Sequence, residues 1–362
     1  MIQINKSITS KVLTIGLQYK NHRGGIGGVI DTYSKYFESF NFICTYGITS
    51  SKIKILFNYI KSLFNTFFFL LLNREVKIVH IHGAAKGSVF RKYIVFNISK
   101  RIFRKKVIFH SHASEMENFY HKGNYLVKKV CTDFFNSVDL IICLSLSWDK
   151  FYNSNFNPKS TIVLENIVDQ QTDIEAKQYN NSCPISFLFL GAIGDRKGIF
   201  DLLEVISLNK DYYKGKIKLI VGGNGEVDKL RKTILDNSLE EIVIFKGWVS
   251  GEEKRNLLET TDVYILPSYN EGLPLSILEA MSYGMPIIST NVGGISEIIH
   301  NNINGCLIEP GDFNGIQTSL NSFVESPILL RSYGLKSLDL VKPYYSESVI
   351  PKLNKIYLKL LE

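Results

Sequence analysis

The sequence predicts an α/β protein built from two doubly wound parallel sheets in series. Three observations carry this expectation. Short aliphatic and β-branched runs alternate with helical patterns along almost the whole chain, the signature of parallel sheets flanked by helices. A polar stretch from Asp169 to Cys183, DQQTDIEAKQYNNSC, has the composition of a linker, and the alternation restarts after it. At 362 residues the chain exceeds the size at which one core keeps growing, so two domains are expected.

In chain order, the first-half strands are KVLTIGL, NFICTY, VKIVHIH, KVIFHSH, LIICLS and TIVLEN. Those of the second half are ISFLFLG, KIKLIVGG, EIVIFKG, VYILPS and MPIISTN. Doubly wound sheets bind ligands past the carboxyl ends of their strands, so the loops there carry the functional information.

The loop after the first strand, NHRGGIGGVIDTYSKYF, is a glycine-rich turn running into a helix. Its glycines, Gly25 and Gly27 among them, permit close approach of the backbone to an anion. The spacing fits neither G-x-G-x-x-G nor the lysine-bearing phosphate loop, so a plain tight turn is the competing reading. After the fourth strand, HSHASE puts His110 and His112 on one side of the chain. They are a structural pair or a substrate-facing His112; no third ligand with suitable spacing is evident, and no metal is expected.

At the restart, FLGAIGDRKGIFDLLEVI places Arg196 and Lys197 between a strand and a helix. Cations there meet a diphosphate, Arg as a planar fork and Lys as a point charge, or form an ordinary exposed pair. VGGNGEVDKL resembles part of a dinucleotide fingerprint without its third glycine, and a turn after a strand explains it equally well.

The most informative stretch is SYNEGLPLSILEAMSYGMP, beginning at Ser268. Pro274 suits the first helical position, and Gly284 with Pro286 supplies a left-handed cap and a stop, predicting a helix over 274–283. Glu271 lies just before that helix and Glu279 in its second turn. Eight positions at ~1.5 Å would separate them by roughly 12 Å, whereas paired glycosidase carboxylates lie about 5 to 9.5 Å apart. The two acids therefore suit opposite ends of one elongated ligand. Between them, the free first-turn amides and the helix dipole form an anion site. A ligand with hydroxyls at both ends and phosphate in the middle fits this pattern, as a nucleotide sugar does.

Charge is divided unevenly. Residues 1–180 hold 24 Lys+Arg against 12 Asp+Glu, net +12, and residues 181–362 hold 18 against 22, net −4, together the +8 of the chain. The first half should favour an anionic surface, or simply be solubilised by its lysines. Residues 52–72, KIKILFNYIKSLFNTFFFLLL, have the length of a membrane span, but Lys52, Lys54, Asn58, Lys61 and Asn65 interrupt it. A domain helix packed on a sheet by one face is expected, or an interfacial helix beside the basic run KRIFRKK. Five scattered cysteines, Cys44, Cys131, Cys143, Cys183 and Cys306, read as reduced and cytoplasmic. No stacking motif or zinc module supports nucleic-acid binding.

Together these pieces resemble the retaining glycosyltransferases of family 4, which have the GT-B fold: two Rossmann-like domains facing a central cleft. The strongest part is VYILPSYNEGLPLSILEAMSYGMPIISTNVGGISEII; GGIGG, VHIHG, HSHA, VLENIVD and FLGAIGDRKG are weaker echoes. The resemblance implies an acceptor-binding domain over residues 1–175, joined by a last helix at about 346–362 that crosses back, and a donor-binding domain over 182–345. It implies that Glu279 binds the ribose hydroxyls and Glu271 faces the transferred sugar. Gly272 and Leu273 would supply amides near the sugar and phosphates. Lys197 would lie on the diphosphate, with Arg196 a second cation. Gly25 and Gly27 would fall in the glycine loop that closes over the phosphates, and His112 near the reacting sugar.

The implied reaction is transfer of a sugar from a nucleoside diphosphate sugar, most commonly a UDP-sugar, to an acceptor hydroxyl with retention and without metal or other cofactor. No Asp-x-Asp pair is present. The acceptor is expected to be a lipid-linked glycan in capsule, lipopolysaccharide or exopolysaccharide assembly at the inner face of the cytoplasmic membrane. Two departures stand out: Ala192 follows Gly191 where the family usually has arginine, and ENIVD lacks the usual proline and glycine around Asn166. The competing functions are a sugar-nucleotide epimerase of the same architecture and a non-catalytic nucleotide-sugar or lipid-binding subunit.

Overall fold

The computed structural model describes residues 3–20, 24–47, 52–112, 114–172, 174 and 184–362. The chain divides into two compact units, Met1–Ile167 with Ser346–Glu362, and Val168–Tyr345. The division falls at Ile167/Val168, just ahead of the polar stretch 169–183, much of which, with Cys183, lies outside the described residues.

The first unit contains β1 (Val12–Leu17), β2 (Asn41–Tyr46), β3 (Ile78–Gly83), β4 (Lys106–Ser111), β5 (Leu140–Cys143) and β6 (Thr161–Val163). They form one sheet in the order β2-β1-β3-β4-β5-β6, every pair parallel. Helices cover both faces of such a sheet, so its central strands are buried on both sides and read as continuous apolar runs. Successive side chains still go to opposite faces. Leu13, Ile15, Val79, Ile81, Val107 and Phe109 enter one core with the aromatic helix residues Phe96, Phe134 and Phe135. Val12, Ile78, Ile108 and Ile142 enter the other.

That second core is completed by the helix Ser346–Leu361, which contributes Val349, Ile350, Leu353, Ile356 and Tyr357. His80 and His82 on β3, and His110 on β4, lie at the even-numbered positions that face it. Strand order reverses between β1 and β3, which makes the carboxyl ends of these two strands the ligand-binding switch point of the unit. The glycine-led helix Gly25–Tyr36 follows β1, and HIHG closes β3.

The second unit contains β7 (Ile185–Leu190), β8 (Ile217–Gly222), β9 (Val243–Gly247), β10 (Val263–Leu266), β11 (Ile287–Thr290) and β12 (Gly305–Ile308). Its parallel order is β12-β11-β10-β7-β8-β9, with the switch point between β7 and β10. Eleven of the strands coincide with the expected runs. β12 was not expected: it has four residues and begins at a glycine, a weak strand former. The glycine is needed because a Cβ at Gly305 would lie 1.9 Å from the Ile287 carbonyl oxygen of the neighbouring strand.

Candidate functional site

The site of the second unit is assembled where the loops after β7 and β10 meet. Gly198 has φ +68, and a Cβ there would lie 1.9 Å from the Pro267 carbonyl oxygen, so the backbone of one loop rests directly on the other. The amide of Tyr269 donates to the Arg196 carbonyl at 2.9 Å, and Nη1 of Arg196 donates back to the Asn270 carbonyl at 3.0 Å. Tyr269 Oη donates to Asp201 at 2.7 Å. This lacing forces two residues 74 positions apart together: Lys197 Nζ donates to Glu271 Oε1 as an ion pair.

The pair is largely shielded, with side-chain exposures of 14% for Lys197 and 7% for Glu271. Ser268 Oγ also donates to Glu271 Oε1, at 2.7 Å. Both bonds fall on Oε1, and Oε2 carries neither. A charge-assisted pair fixed by a third group holds both side chains in one geometry. Nη1 of the Arg196 guanidinium ties down the loop that carries Glu271.

Neighbouring loops buttress this one. The β8 loop approaches so closely that a Cβ at Gly223 would lie 1.9 Å from the Gly191 carbonyl oxygen. The VGGNG stretch is thus a packing turn under the β7 loop. From the other side, Gly293 at φ +56 would bring a Cβ within 2.1 Å of the Glu271 carbonyl oxygen, and the Gly294 amide donates to the Gly272 carbonyl at 2.7 Å. Ser289 Oγ donates to the Leu266 carbonyl at 2.7 Å, and the Thr290 hydroxyl donates to the Ser268 carbonyl.

The helix that follows runs Leu275–Ser282. Pro274 was expected as its first residue but is the N-cap instead: at ψ 119 it is extended, and its carbonyl accepts from Ile277 at 3.2 Å and Leu278 at 3.4 Å. The earlier amides, Leu275 and Ser276, have no intrahelical acceptor. The helix ends in a Schellman pair at Gly284, φ +65, with Gly284 donating to Met281 at 3.0 Å and Met285 to Ala280 at 3.1 Å. Glu279 projects from its second turn and accepts from Lys254 Nζ at 2.6 Å, from the helix Gly251–Thr260. Lys254 was not singled out from the sequence, which carries no periodic signal linking it to Glu279. Gly272 and Leu273 are both buried between the two acids.

The remaining candidates lie in the first unit. Gly25 opens the helix Gly25–Tyr36, capped by Gly24, and Gly27 is buried in its first turn. His112 follows β4, its amide donating to the Gly83 carbonyl at 2.8 Å. It belongs to a larger constellation, because the parallel register of β3 and β4 adds His80 and His82 on the same face. His82 Nδ1 and His112 Nε2 are hydrogen-bonded at 2.9 Å, while His80 bridges Tyr357 Oη at 2.7 Å and His110 Nδ1 at 3.2 Å. Burial, helped by neighbouring imidazoles, holds His82 and His110 far below the usual histidine range; burial pushes His112 down to about 3, and burial with nearby His112 does the same to His80.

All four are thus neutral rings joined in two short hydrogen-bonded chains. Ring nitrogens of His80, His82 and His110 lie within 4.8 Å of one another, the only such ligand group among the described residues. The HSHASE stretch by itself marks only His110 and His112. The signal for the others was the alternate spacing in VHIHG, next to a strand of the same pattern.

Residues 170–337 match the family model described as glycosyl transferases group 1. An uncharacterized glycosyltransferase of Methanocaldococcus jannaschii, MJ1069, is 27% identical over 283 residues, 74% of this chain and 71% of that protein. The UDP-Gal:alpha-D-GlcNAc-diphosphoundecaprenol alpha-1,3-galactosyltransferase of Escherichia coli is 29% identical over 147 residues, 37% of this chain and 38% of that protein. Among solved structures, Anabaena Alr3699/HepE in complex with UDP-glucose superposes with a TM-score of 0.74 at 14% identity, covering 97% of this chain and 98% of that one. The chain accordingly has the GT-B fold, and the stretch that matches the glycosyl transferases group 1 model, residues 170–337, lies in the second unit, which carries the Lys197–Glu271 pair and the Leu275–Ser282 helix.

Proposed function

We propose that this protein is a retaining, metal-independent glycosyltransferase that transfers a sugar from a UDP-sugar to a hydroxyl of a lipid-linked glycan in surface-polysaccharide assembly, working peripherally at the cytoplasmic face of the membrane. The observation that carries the reading is the Lys197–Glu271 pair at the switch point of the second unit, one loop away from a helix whose first-turn amides are open and whose second turn presents Glu279. HepE, crystallised with UDP-glucose, supports the donor class, and the galactosyltransferase from E. coli, named for a diphosphoundecaprenol-linked acceptor, supports the acceptor class.

In this reading the donor lies along the helix tip. Its ribose hydroxyls donate to Glu279, which Lys254 holds in place, and its diphosphate meets the amides of Leu275 and Ser276. Lys197 turns from Glu271 to the leaving phosphate as charge grows there, and Glu271 then accepts from hydroxyls of the sugar. Arg196 positions the Glu271 loop through Asn270. A preorganised cation and amides at the developing charge supply what a metal supplies elsewhere. Within the first unit, His82 holds the His112 ring in one orientation through their 2.9 Å hydrogen bond. The chain offers no obvious nucleophile for a double displacement, which favours front-face substitution with the departing phosphate helping to deprotonate the acceptor.

A panel of nucleotide sugars scored for binding and slow hydrolysis tests the donor without needing an acceptor. Glu279→Ala is expected to weaken UDP binding at least tenfold by calorimetry while leaving the fold intact, because the acid is partly exposed and Lys254 regains water. Wild-type UDP affinity in that variant would remove the ribose assignment.

A further inference from the structure

The helix Lys52–Leu72 turns the wrong face to the protein. At about 100° per residue, Ile53, Leu56, Phe57, Ile60, Phe64, Phe68 and Leu71 fall within about 60° of one line along its length. All are exposed, Ile53 by 82%, Phe57 by 66% and Phe64 by 60%. The opposite face holds Tyr59, Ser62, Thr66 and Leu70, all buried. Ser62 and Thr66 are buried there by bonding back to their own helix, Ser62 to the Tyr59 carbonyl at 2.6 Å and Thr66 to the Ser62 carbonyl at 2.8 Å. A helix that buries its hydroxyls and exposes its phenylalanines is amphipathic toward something outside the unit.

Charge identifies what that is. Residues 51–74 contain no aspartate or glutamate. Lys54 and Lys61 are exposed along one flank of the stripe. On the side of the stripe away from these lysines, half-buried Phe67 packs edge-on against Phe103, at 5.1 Å between centroids, which brings the run KRIFRKK alongside; its Lys100 and Arg101 are paired with Asp139 and Asp133, while Arg104 and Lys106 stay exposed. Arg74 and Arg104 are exposed at the carboxyl end of the helix, where Lys105 Nζ reaches the Val76 carbonyl. An apolar stripe bordered on both sides by cations matches the headgroup boundary of an anionic bilayer. A second copy of the chain would instead set this acid-free segment against itself, lysine toward lysine.

We infer that the helix Lys52–Leu72 docks the first unit on an anionic membrane, lying in the interface plane with its phenylalanine stripe among the acyl chains. The helix is long and apolar enough to cross a bilayer by length and composition alone. It does not span, because the helix packs on β2 and its other face, with Tyr59, Ser62, Thr66 and Leu70, is buried in the unit, whereas in a spanning helix that face would meet lipid. The inference rests on the peripheral membrane part of the proposed function, for which it names the docking surface, and is independent of the donor chemistry.

The test is flotation of the full chain with vesicles of phosphatidylglycerol and phosphatidylcholine, against phosphatidylcholine alone. The protein is expected to float with the anionic vesicles, to lose most of that association in 1 M salt, and to be released by alkaline carbonate. The triple variant Phe57→Ser/Phe64→Ser/Phe68→Ser should lower the partition coefficient at least tenfold with the wild-type melting temperature and unchanged UDP-sugar binding. Lys54→Glu/Lys61→Glu should lower it severalfold on anionic vesicles only. Absence of flotation on either vesicle would overturn the proposal, as would a dimer by light scattering that the triple variant dissociates while flotation is unchanged. None of these readouts requires sugar transfer, so failure of the docking and failure of the enzymatic reading remain distinguishable.

Discussion

Lys197→Ala is expected to lower turnover by at least tenfold, toward the 10²- to 10³-fold typical of losing one preorganised donor, about 2.7–4 kcal/mol. Measured at saturating UDP-sugar, the loss should appear in kcat rather than KM, because the cation acts on charge that develops only as the glycosidic bond breaks. The same substitution leaves the Glu271 carboxylate shielded without its countercharge. Removing one partner of a buried pair costs about 3–5 kcal/mol, so a lowered melting temperature is expected alongside the kinetic loss. Glu271→Gln separates the two effects: it keeps an oxygen for Ser268 Oγ and removes the charge. A Glu271→Gln protein that melts near the wild type and turns over at least tenfold more slowly would assign the carboxylate to the reaction. A Lys197→Ala protein with kcat within twofold of wild type would take the lysine out of the mechanism.

Truncation at Tyr345 is expected to have the largest effect on folding. The helix Ser346–Leu361 carries Val349, Ile350, Leu353 and Ile356 into the core of the first unit, each nearly fully buried. At about 1.5–3 kcal/mol per side chain, their burial contributes roughly 6–12 kcal/mol. Whole domains have a net stability of about 5–15 kcal/mol. The truncation also removes Tyr357, the 2.7 Å partner of His80, from beneath the histidine cluster. The shortened chain should be poorly soluble or inactive, with the first unit's cooperative unfolding lost by circular dichroism. A soluble, fully active truncation with an unchanged melting curve would mean that the helix is dispensable.

Much of the fold was legible because parallel sheets buried on both faces write themselves as uninterrupted apolar runs. IVHIHG, KVIFHS and ISFLFL needed no long-range information. GCLI was missed because four residues that begin at the glycine of an asparagine-glycine pair resemble a loop until β11 is seen beside them. The acid-rich block after β10 was legible in kind, since its proline, glycines and two glutamates are close in sequence. Its partners were not. Lys197 and Glu271 meet across 74 residues because the strand order reverses between β7 and β10, a property of topology that no local pattern encodes.

Lys254 is 25 residues from Glu279 and equally unmarked. His80 and His82 were visible as residues but acquired meaning only through the register of β3 against β4. The inward hydroxyls of the Lys52–Leu72 helix show the same limit: composition gave its length and charge, and only packing showed which face the sheet had taken.

A crystal structure with a bound UDP-sugar tests the central claim most directly. The account predicts ribose hydroxyls within hydrogen-bond distance of Glu279, phosphate oxygens on the amides of Leu275 and Ser276 and on Lys197, and Glu271 released from Lys197 to the sugar. A donor bound away from the Leu275–Ser282 helix, or bound there with the Lys197–Glu271 pair intact and both glutamates without ligand contact, would contradict it.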